Sequence, residues 1–347
     1  MLGCHFLLWS ELCRNRAGYV FRCVALATHF FLEGEEPMKK KIILFLVSTV
    51  IALSLTGCKS GDYNEAVKLQ EAGDYQAALE LYESIEDYEN YKDSAERVDV
   101  CKAMIEAINA FDSARSSAEQ KNSDLDTAIS EAEALVAEGK PALDETLIPT
   151  LETAISEAKS AKQTIMEMPA TEDEIIAATQ QLDSLDYSSV LSNLSEKKSA
   201  LEKSVKQYAL VDAPTEAYVI ECLKKVENIV DISAVTEDND PNGNLNKAGG
   251  YTAQVYFSSD LVNQSEVYGT SLIEKGTDAG GSIEVYANVE DATARNEYLA
   301  SFDGSIFASG SHTVVGTVLV RTSDELTASQ QQTLEANIIA ALTEIVE

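Results

Sequence analysis

Tyr251-Thr252-Ala253-Gln254-Val255-Tyr256-Phe257 is the stretch on which the fold class turns. Tyr251, Ala253, Val255 and Phe257 alternate with Thr252, Gln254 and Tyr256, the period of two that marks a half-buried strand. Working outward, Ile283, Val285 and Ala287 alternate with Glu284, Tyr286 and Asn288 in the same way, and 231–235 reads as a short strand. Residues 313–321 are apolar on both faces, Val314, Val318 and Val320 against Val315 and Leu319, which predicts one central strand. Helices are predicted over 217–230 and 290–302. Thr327-x-x-Gln330 forms a capping box before a last helix whose Leu334, Ile338, Leu342 and Ile345 point inward. The expected order is α-β-β-β-α-β-α. It describes a C-terminal α+β sandwich over 212–347, a sheet with helices on one face, with Pro214 at the boundary.

Upstream the texture changes. Residues 94–210 are rich in Ala, Glu, Lys, Ser and Leu, and apolar residues recur at spacings of three and four. Leu125, Ile129, Ala132 and Leu135 form one such stripe, and Leu151, Ile155, Ala158, Ala161 and Ile165 another, the mark of amphipathic helices. Breaks are expected at Asn122-Ser123-Asp124, at Gly139-Lys140-Pro141 and at Pro169-Ala170-Thr171, with Thr171-x-x-Glu174 opening a new helix. Residues 98–211 therefore read as a helical bundle or stalk, and the whole chain as α+β. In texture alone this region resembles the three-helix spacer modules of Gram-positive surface proteins.

Further upstream, Gly61-Asp62-Tyr63-x-x-Ala66 is repeated as Gly73-Asp74-Tyr75-x-x-Ala78, with a looser echo at Asp87-Tyr88. Ala66, Leu69, Gly73, Tyr75, Ala78 and Tyr82 read as an all-α hairpin over 58–97, joined at Gly73-Asp74. It resembles one tetratricopeptide unit, most closely in its second helix. One unit cannot stack into a solenoid, for which about three are needed. A hairpin packing on its neighbours is the plainer reading. A partner-binding reading would place the contact on Tyr75 and Tyr82.

Met38 is followed by Lys39, Lys40 and Lys41, then by fourteen largely apolar residues over 42–55, then by Leu55-Thr56-Gly57-Cys58. A charged start, a short apolar run and small residues at a cleavage point define an export signal. The run is shorter than the ~20 residues that span a bilayer. Leu-Thr-Gly-Cys resembles the lipobox of bacterial lipoproteins. The resemblance implies cleavage before Cys58, a diacylglyceryl group on its sulfur, and a lipid-anchored protein on the outer face of the cytoplasmic membrane. Residues 38–57 are then the signal peptide. Residues 1–37 hold Trp9, His5, His29, Cys4, Cys13 and Cys23, a composition foreign to the rest. Glu33-Gly34-Glu35-Glu36 is what a translated ribosome-binding site would encode, so 1–37 reads as a mis-called extension and Met38 as the start. The alternative is a membrane leader over 19–32. Peptides from 1–37 recovered from cells would exclude the first reading.

Residues 58–347 carry 20 basic and 54 acidic side chains, a net charge near −34. Such a field repels nucleic acid and anionic membrane surfaces, so a lipid must do the anchoring, and two acyl chains suffice for that. Past Cys58 only Cys101 and Cys222 remain, each on an apolar helical stripe. Both read as buried small hydrophobes, although an oxidising compartment permits a disulfide.

The sharpest chemical motif is Asp238-Asn239-Asp240-Pro241-Asn242-Gly243-Asn244-Leu245-Asn246. It resembles the opening of an EF-hand loop, D-x-D-x-N-G. The resemblance implies calcium held by Asp238, Asp240, Asn242, Asn244 and Asn246. Alternate oxygens on a tight turn converge on one point, as a cation with six to eight ligands requires. Position twelve of the motif, a bidentate Glu in the family, is Gly249 here, and strands flank the loop. Any affinity would then be weak, about 10⁻⁴ to 10⁻³ M. The competing reading is a polar turn whose side chains bond their own backbone. The glycine clusters at 249–250 and 276–281, with Gly304 and Gly310, read as connections between strands.

Enzyme readings find little support. His312 is the only histidine after the signal region, and no zinc-ligand spacing is present. Carboxylates able to cleave glycosides are abundant, but no tryptophan follows Trp9 to serve as a sugar platform. The expectation is a non-enzymatic binding or structural module on a helical stalk, meeting a cell-wall component or envelope protein. The competing expectations are a wall-acting enzyme using carboxylates of 212–347 and an assembly scaffold working through the hairpin.

Overall fold

The computed structural model describes residues 59–305 and 310–346. Cys58, the signal region and the 1–37 extension lie outside the described residues. The chain is α+β, and it divides into two units. One comprises residues up to Ala114 with Glu167–Gln181; the other comprises Arg115–Met166 with Leu182–Glu347.

In the first unit, α1 (Lys59–Glu71) and α2 (Tyr75–Ser84) form the hairpin. Gly73 turns the chain at φ +83°, and Asp74 caps α2 by accepting a hydrogen bond from the Ala77 N–H at 3.1 Å. Ala66 and Ala78 are fully buried, which lets the helices close on Tyr63, Tyr82 and Ile85. Val98 and Cys101, near the start of α3 (Ser94–Ala137), complete this core.

Helix α3 runs without interruption through the expected break at Asn122-Ser123-Asp124. The Asn122 side chain donates to the Gln163 carbonyl at 2.9 Å and accepts from the Tyr187 hydroxyl at 2.7 Å. Its polarity serves a tertiary contact, so it does not end the helix. The break at Gly139-Lys140-Pro141 is observed, and α4 (Leu147–Ala161) follows. Helix α5 (Glu172–Asp183) comes after the Pro169 break. In the second unit, the later part of α3 packs with α4 and α6 (Ser188–Leu210) around Leu125, Ile129, Leu151, Ile155, Leu194 and Leu201.

The C-terminal part holds a five-stranded antiparallel sheet of order β1-β2-β3-β5-β4. Its strands are β1 (Ile229–Ala234), β2 (Ala253–Ser259), β3 (Gly280–Val285), β4 (His312–Val315) and β5 (Val318–Thr322). The expected single strand over 313–321 is a hairpin, β4–β5, with Val315 paired to Val318. Its two-residue loop, Gly316-Thr317, carries a positive φ at Gly316 alone, the signature of a type II′ turn. Gly316 also meets the end of α6: a Cβ there would lie 2.6 Å from the Val211 carbonyl oxygen. The Thr317 N–H donates to that same oxygen at 2.9 Å.

Helices α7 (Glu216–Leu223) and α10 (Ala328–Leu342) cover one face of the sheet, and Thr327 and Gln330 form the predicted capping box. Here Val255, Phe257, Ile283, Val285, Val318 and Val320 pack on Val219, Leu223, Leu334, Ile338 and Leu342. Helix α9 (Val289–Ala300) lies on the other face, with Ala292 and Leu299 against Leu319 and Tyr286. The expectation of helices on one face only is corrected accordingly. A short α8 (Leu272–Lys275) sits in the β2–β3 connection. Cys101 and Cys222 are both free and buried in different cores.

Candidate functional site

The second face of the sheet is polar and yet dry. On β2, every residue is buried, so the pattern that predicts a half-exposed strand marks one covered on both sides. Gln254, Ser282 and Glu284 have no solvent exposure, and Tyr256 and Arg321 are nearly covered. The register sets them side by side. Tyr256 pairs with Ser282, Ser282 with Arg321, and Arg321 with His312, making one cross-strand row. Gln254 pairs with Glu284 in the next row.

Glu284 is the hub. Its carboxylate accepts from Arg321 Nη1 at 3.0 Å, from Arg295 Nε at 3.1 Å and from the Tyr286 hydroxyl at 2.6 Å. Burial opposes ionisation of this carboxyl, but the two guanidiniums and the tyrosine outweigh it and hold its pKa below the usual range. Tyr286 is pushed up by burial and by the adjacent carboxylate. Arg295 comes from α9, so this helix both covers the face and supplies one of its charges.

The loop between β1 and β2 closes over the same face. Leu245 packs with Tyr251, Tyr286, Ala292 and Leu319, and the Tyr251 and Tyr286 rings meet edge to face at 6.4 Å. The loop contains the EF-hand-like motif. Asp240 accepts from the N–H groups of Asn242 (2.9 Å), Asn244 (2.6 Å) and Leu245 (2.8 Å), and from the Tyr251 hydroxyl (2.5 Å). Burial raises the Asp240 pKa, but Tyr251 and the three backbone donors prevail and lower it to about 2. Asn242 donates to the Tyr251 hydroxyl at 3.4 Å. Asn246 adopts φ +59° and its side chain turns to Glu237 at 3.0 Å, while Asp238 is exposed. The motif thus gathers Asp240, Asn242 and Asn244 about one turn and sends Asp238 and Asn246 elsewhere. Gly250 is obligatory in this turn, because a Cβ there would lie 2.0 Å from the Asn244 carbonyl oxygen. Among the described residues, no group of three or more His, Cys, Asp or Glu is placed to hold a metal ion.

Of the other sequence-derived candidates, His312 ends the cross-strand row of the site beside Arg321, and the rest lie outside it. His312 Nδ1 lies 2.6 Å from Asn296 Oδ1, and Nε2 lies 3.3 Å from Asp303 Oδ1. Ser311 lies 2.7 Å from the Thr322 hydroxyl and bonds Glu335 at 2.8 Å, so it does not form a pair with His312. Tyr82 is wholly buried, with its hydroxyl on Gln70 at 3.0 Å. This corrects the expectation that Tyr82 offers a partner a surface; it is a core residue of the hairpin. Tyr75 is half-buried against the same core.

The buried polar face is the feature that the strand alternation hides. Its signal lies in the run over 313–321, whose second apolar face requires a cover. No protein-family model, curated protein or solved structure matches this chain.

Proposed function

We propose that the chain is an extracytoplasmic lipoprotein, anchored through lipid on Cys58, whose C-terminal α+β module binds a ligand and performs no chemistry on it. Lys39–Lys41, the apolar run and the Leu55-Thr56-Gly57-Cys58 box support export and anchoring. The observation that carries the binding reading is the fully buried Glu284 between Arg295 and Arg321. A buried ion cluster of this kind is a poor way to gain stability, since apolar side chains of equal volume do as well or better. Its retention beneath a connection of 235–252, longer than structural hairpins need, points to recognition. The module's ligand is read as a cell-wall component or an envelope protein.

In this reading the Asp240 loop is a self-bonded lid, because both carboxylate oxygens already carry donors. Calorimetry of the protein with calcium up to several millimolar is then expected to show no saturable heat. A saturable heat lost in Asp240→Ala would reinstate the cation site.

Two measurements test the main proposal. Mass spectrometry of the mature protein should find an acylated Cys58 as the first residue; a mature peptide spanning Gly57-Cys58 would sink the anchor. Purified cell-wall material should retain the intact protein and lose it on deletion of 212–347. Undiminished retention after that deletion would move the binding function to the helices.

A further inference from the structure

A groove of about 900 Å³ runs between α6, the C-terminal end of α10 and Lys225, which follows α7. All of its walls belong to the second unit. One wall is a stripe of α6 that includes Lys203 and Lys206. Residues three apart on a helix stand side by side, with Cβ atoms about 5–6 Å apart. Another wall is apolar, formed by Ala340, Ala341 and Ile345.

Such a groove is out of keeping with a chain this acidic. Helix α6 carries four lysines against two glutamates. The two acids that line the groove are already met, Glu344 by Lys225 at 2.8 Å and Glu202 by Lys198 at 3.9 Å. Lys203 and Lys206 are exposed, and they make no ion pair and no hydrogen bond among the described residues. The groove is therefore lined by two ammonium groups without a counterion there.

A helix C-terminus attracts cations, and lysines beside one can serve the fold alone. At the end of α10 that need is met by other groups. The Leu342 carbonyl accepts from the Tyr218 hydroxyl at 2.8 Å, and the Thr343 carbonyl from Gln207 Nε2 at 3.3 Å. The Ile339 carbonyl accepts from the Thr343 N–H at 3.0 Å and from its hydroxyl at 2.8 Å. Neutral donors close the helix and leave Lys203 and Lys206 unused.

We infer that the groove binds a small phosphorylated ligand, its phosphate on Lys203 and Lys206 and its body against Ala340, Ala341 and Ile345. Ammonium groups are compact point charges. They lack the planar fork with which arginine matches a carboxylate, and they suit a phosphate, which can be approached from several sides. The volume suits a whole small molecule, since ligand clefts run to about 300–1,000 Å³. Size is bounded by charge as well. At physiological salt the screening length is about 8 Å, so the lysines govern what happens inside the groove. A long polyanion would leave the groove and meet the acidic surface beyond it. The groove is lined by none of the residues of the Glu284 face, so this inference goes beyond the binding role given to that face and does not depend on it.

The test uses the whole protein with sodium pyrophosphate as the probe. Citrate and sodium chloride at matched ionic strength are the comparators, read by calorimetry and thermal melting. Pyrophosphate should bind saturably and raise the melting temperature, citrate should bind more weakly, and chloride should do neither. Lys203→Gln/Lys206→Gln should melt like the parent when unliganded and bind pyrophosphate about tenfold more weakly, or worse. Lys140→Gln/Lys159→Gln removes the same charge from lysines paired to Glu138 and Glu133, and should leave the affinity unchanged. No saturable pyrophosphate heat would overturn the site. Equal losses in the two double variants would also overturn it, by showing that only net charge is felt. So would a Lys203→Gln/Lys206→Gln protein that melts far below the parent, since the lysines would then belong to the fold. Citrate binding as tight as that of pyrophosphate would overturn the phosphate assignment.

Discussion

The two faces of the C-terminal sheet are equally buried and chemically opposite. Facing α7 and α10, Val255, Phe257, Ile283, Val318 and Val320 form an apolar layer. Facing α9, the same strands bury Gln254, Tyr256, Ser282, Glu284 and Arg321. Burial of a Phe or Ile side chain contributes about 1.5–3 kcal/mol with no partner required. Burial of Glu284 is tolerated only because Arg295, Arg321 and Tyr286 meet it. The difference teaches that the first face specifies the fold by volume, whereas the second holds a set of donors and charges in fixed positions.

The largest effects should come from opening either face. Phe257→Ala should destabilise the protein by about 3–5 kcal/mol in urea titrations, the cost of a large core cavity. Glu284→Gln should cost a similar amount, about 3–5 kcal/mol, because it leaves two guanidiniums buried against a neutral amide. The comparison sharpens in a combined variant. Replacing Glu284, Arg295 and Arg321 together by Met or Leu should restore parental stability or exceed it by about 1–4 kcal/mol. Should the triple variant instead be the least stable of the set, the polar face would be structural and the contrast between the faces would fail.

Much of this was legible beforehand, for reasons that particular residues make plain. Alternation assigned Val255 and Gln254 to opposite faces, because side chains on a strand alternate whatever surrounds them. The Gly73-Asp74 turn and the Thr327/Gln330 cap were readable because both are set by neighbours within a few residues. The dryness of the Glu284 face was not readable. It depends on α9 and on a loop that Tyr251 and Asp240 fold over the sheet. The 313–321 run hid its hairpin because Gly316-Thr317 lacks the Asn-Gly signal of the commonest two-residue turn. Asn122 misled because its partner, Tyr187, lies 65 residues away. The EF-hand-like motif falls on a turn, but a motif does not say whether its oxygens face a cation or their own backbone.

A smaller effect should separate the lid from the face it covers. Asp240 has a pKa lowered from 3.8 to about 2 in the folded protein. A depressed carboxylate stabilises the fold fully above the unfolded value and loses that contribution as pH falls from about 4 to about 2. Asp240→Asn should therefore cost about 1–2 kcal/mol at pH 7, and the gap between variant and parent should close as pH approaches 2. Urea midpoints measured at pH 7, 4 and 2.5 would read this directly. A gap that persists at the lowest pH would mean that the hydrogen-bond geometry of Asp240, and not its charge, holds the loop.

The smallest effect belongs to ion pairs that water reaches, and it completes the contrast with Glu284. In the helical bundle Lys198 lies 2.6 Å from Glu131, a shorter contact than either arginine makes with Glu284. Distance is a poor guide here. The Glu131 side chain is 58 % exposed, whereas that of Glu284 is fully covered. Exposed pairs yield about 0–1 kcal/mol, because solvent and salt compete with the partner and two long side chains must be held still. Lys198→Met should shift stability by no more than about 0.5 kcal/mol, and 1 M salt should erase the shift. The same salt should leave the cost of Glu284→Gln unchanged, since the Debye atmosphere does not penetrate the sheet face. A salt-sensitive Glu284→Gln penalty would mean that water already reaches the cluster, and the contrast between a dry polar face and a solvated ion pair would fail.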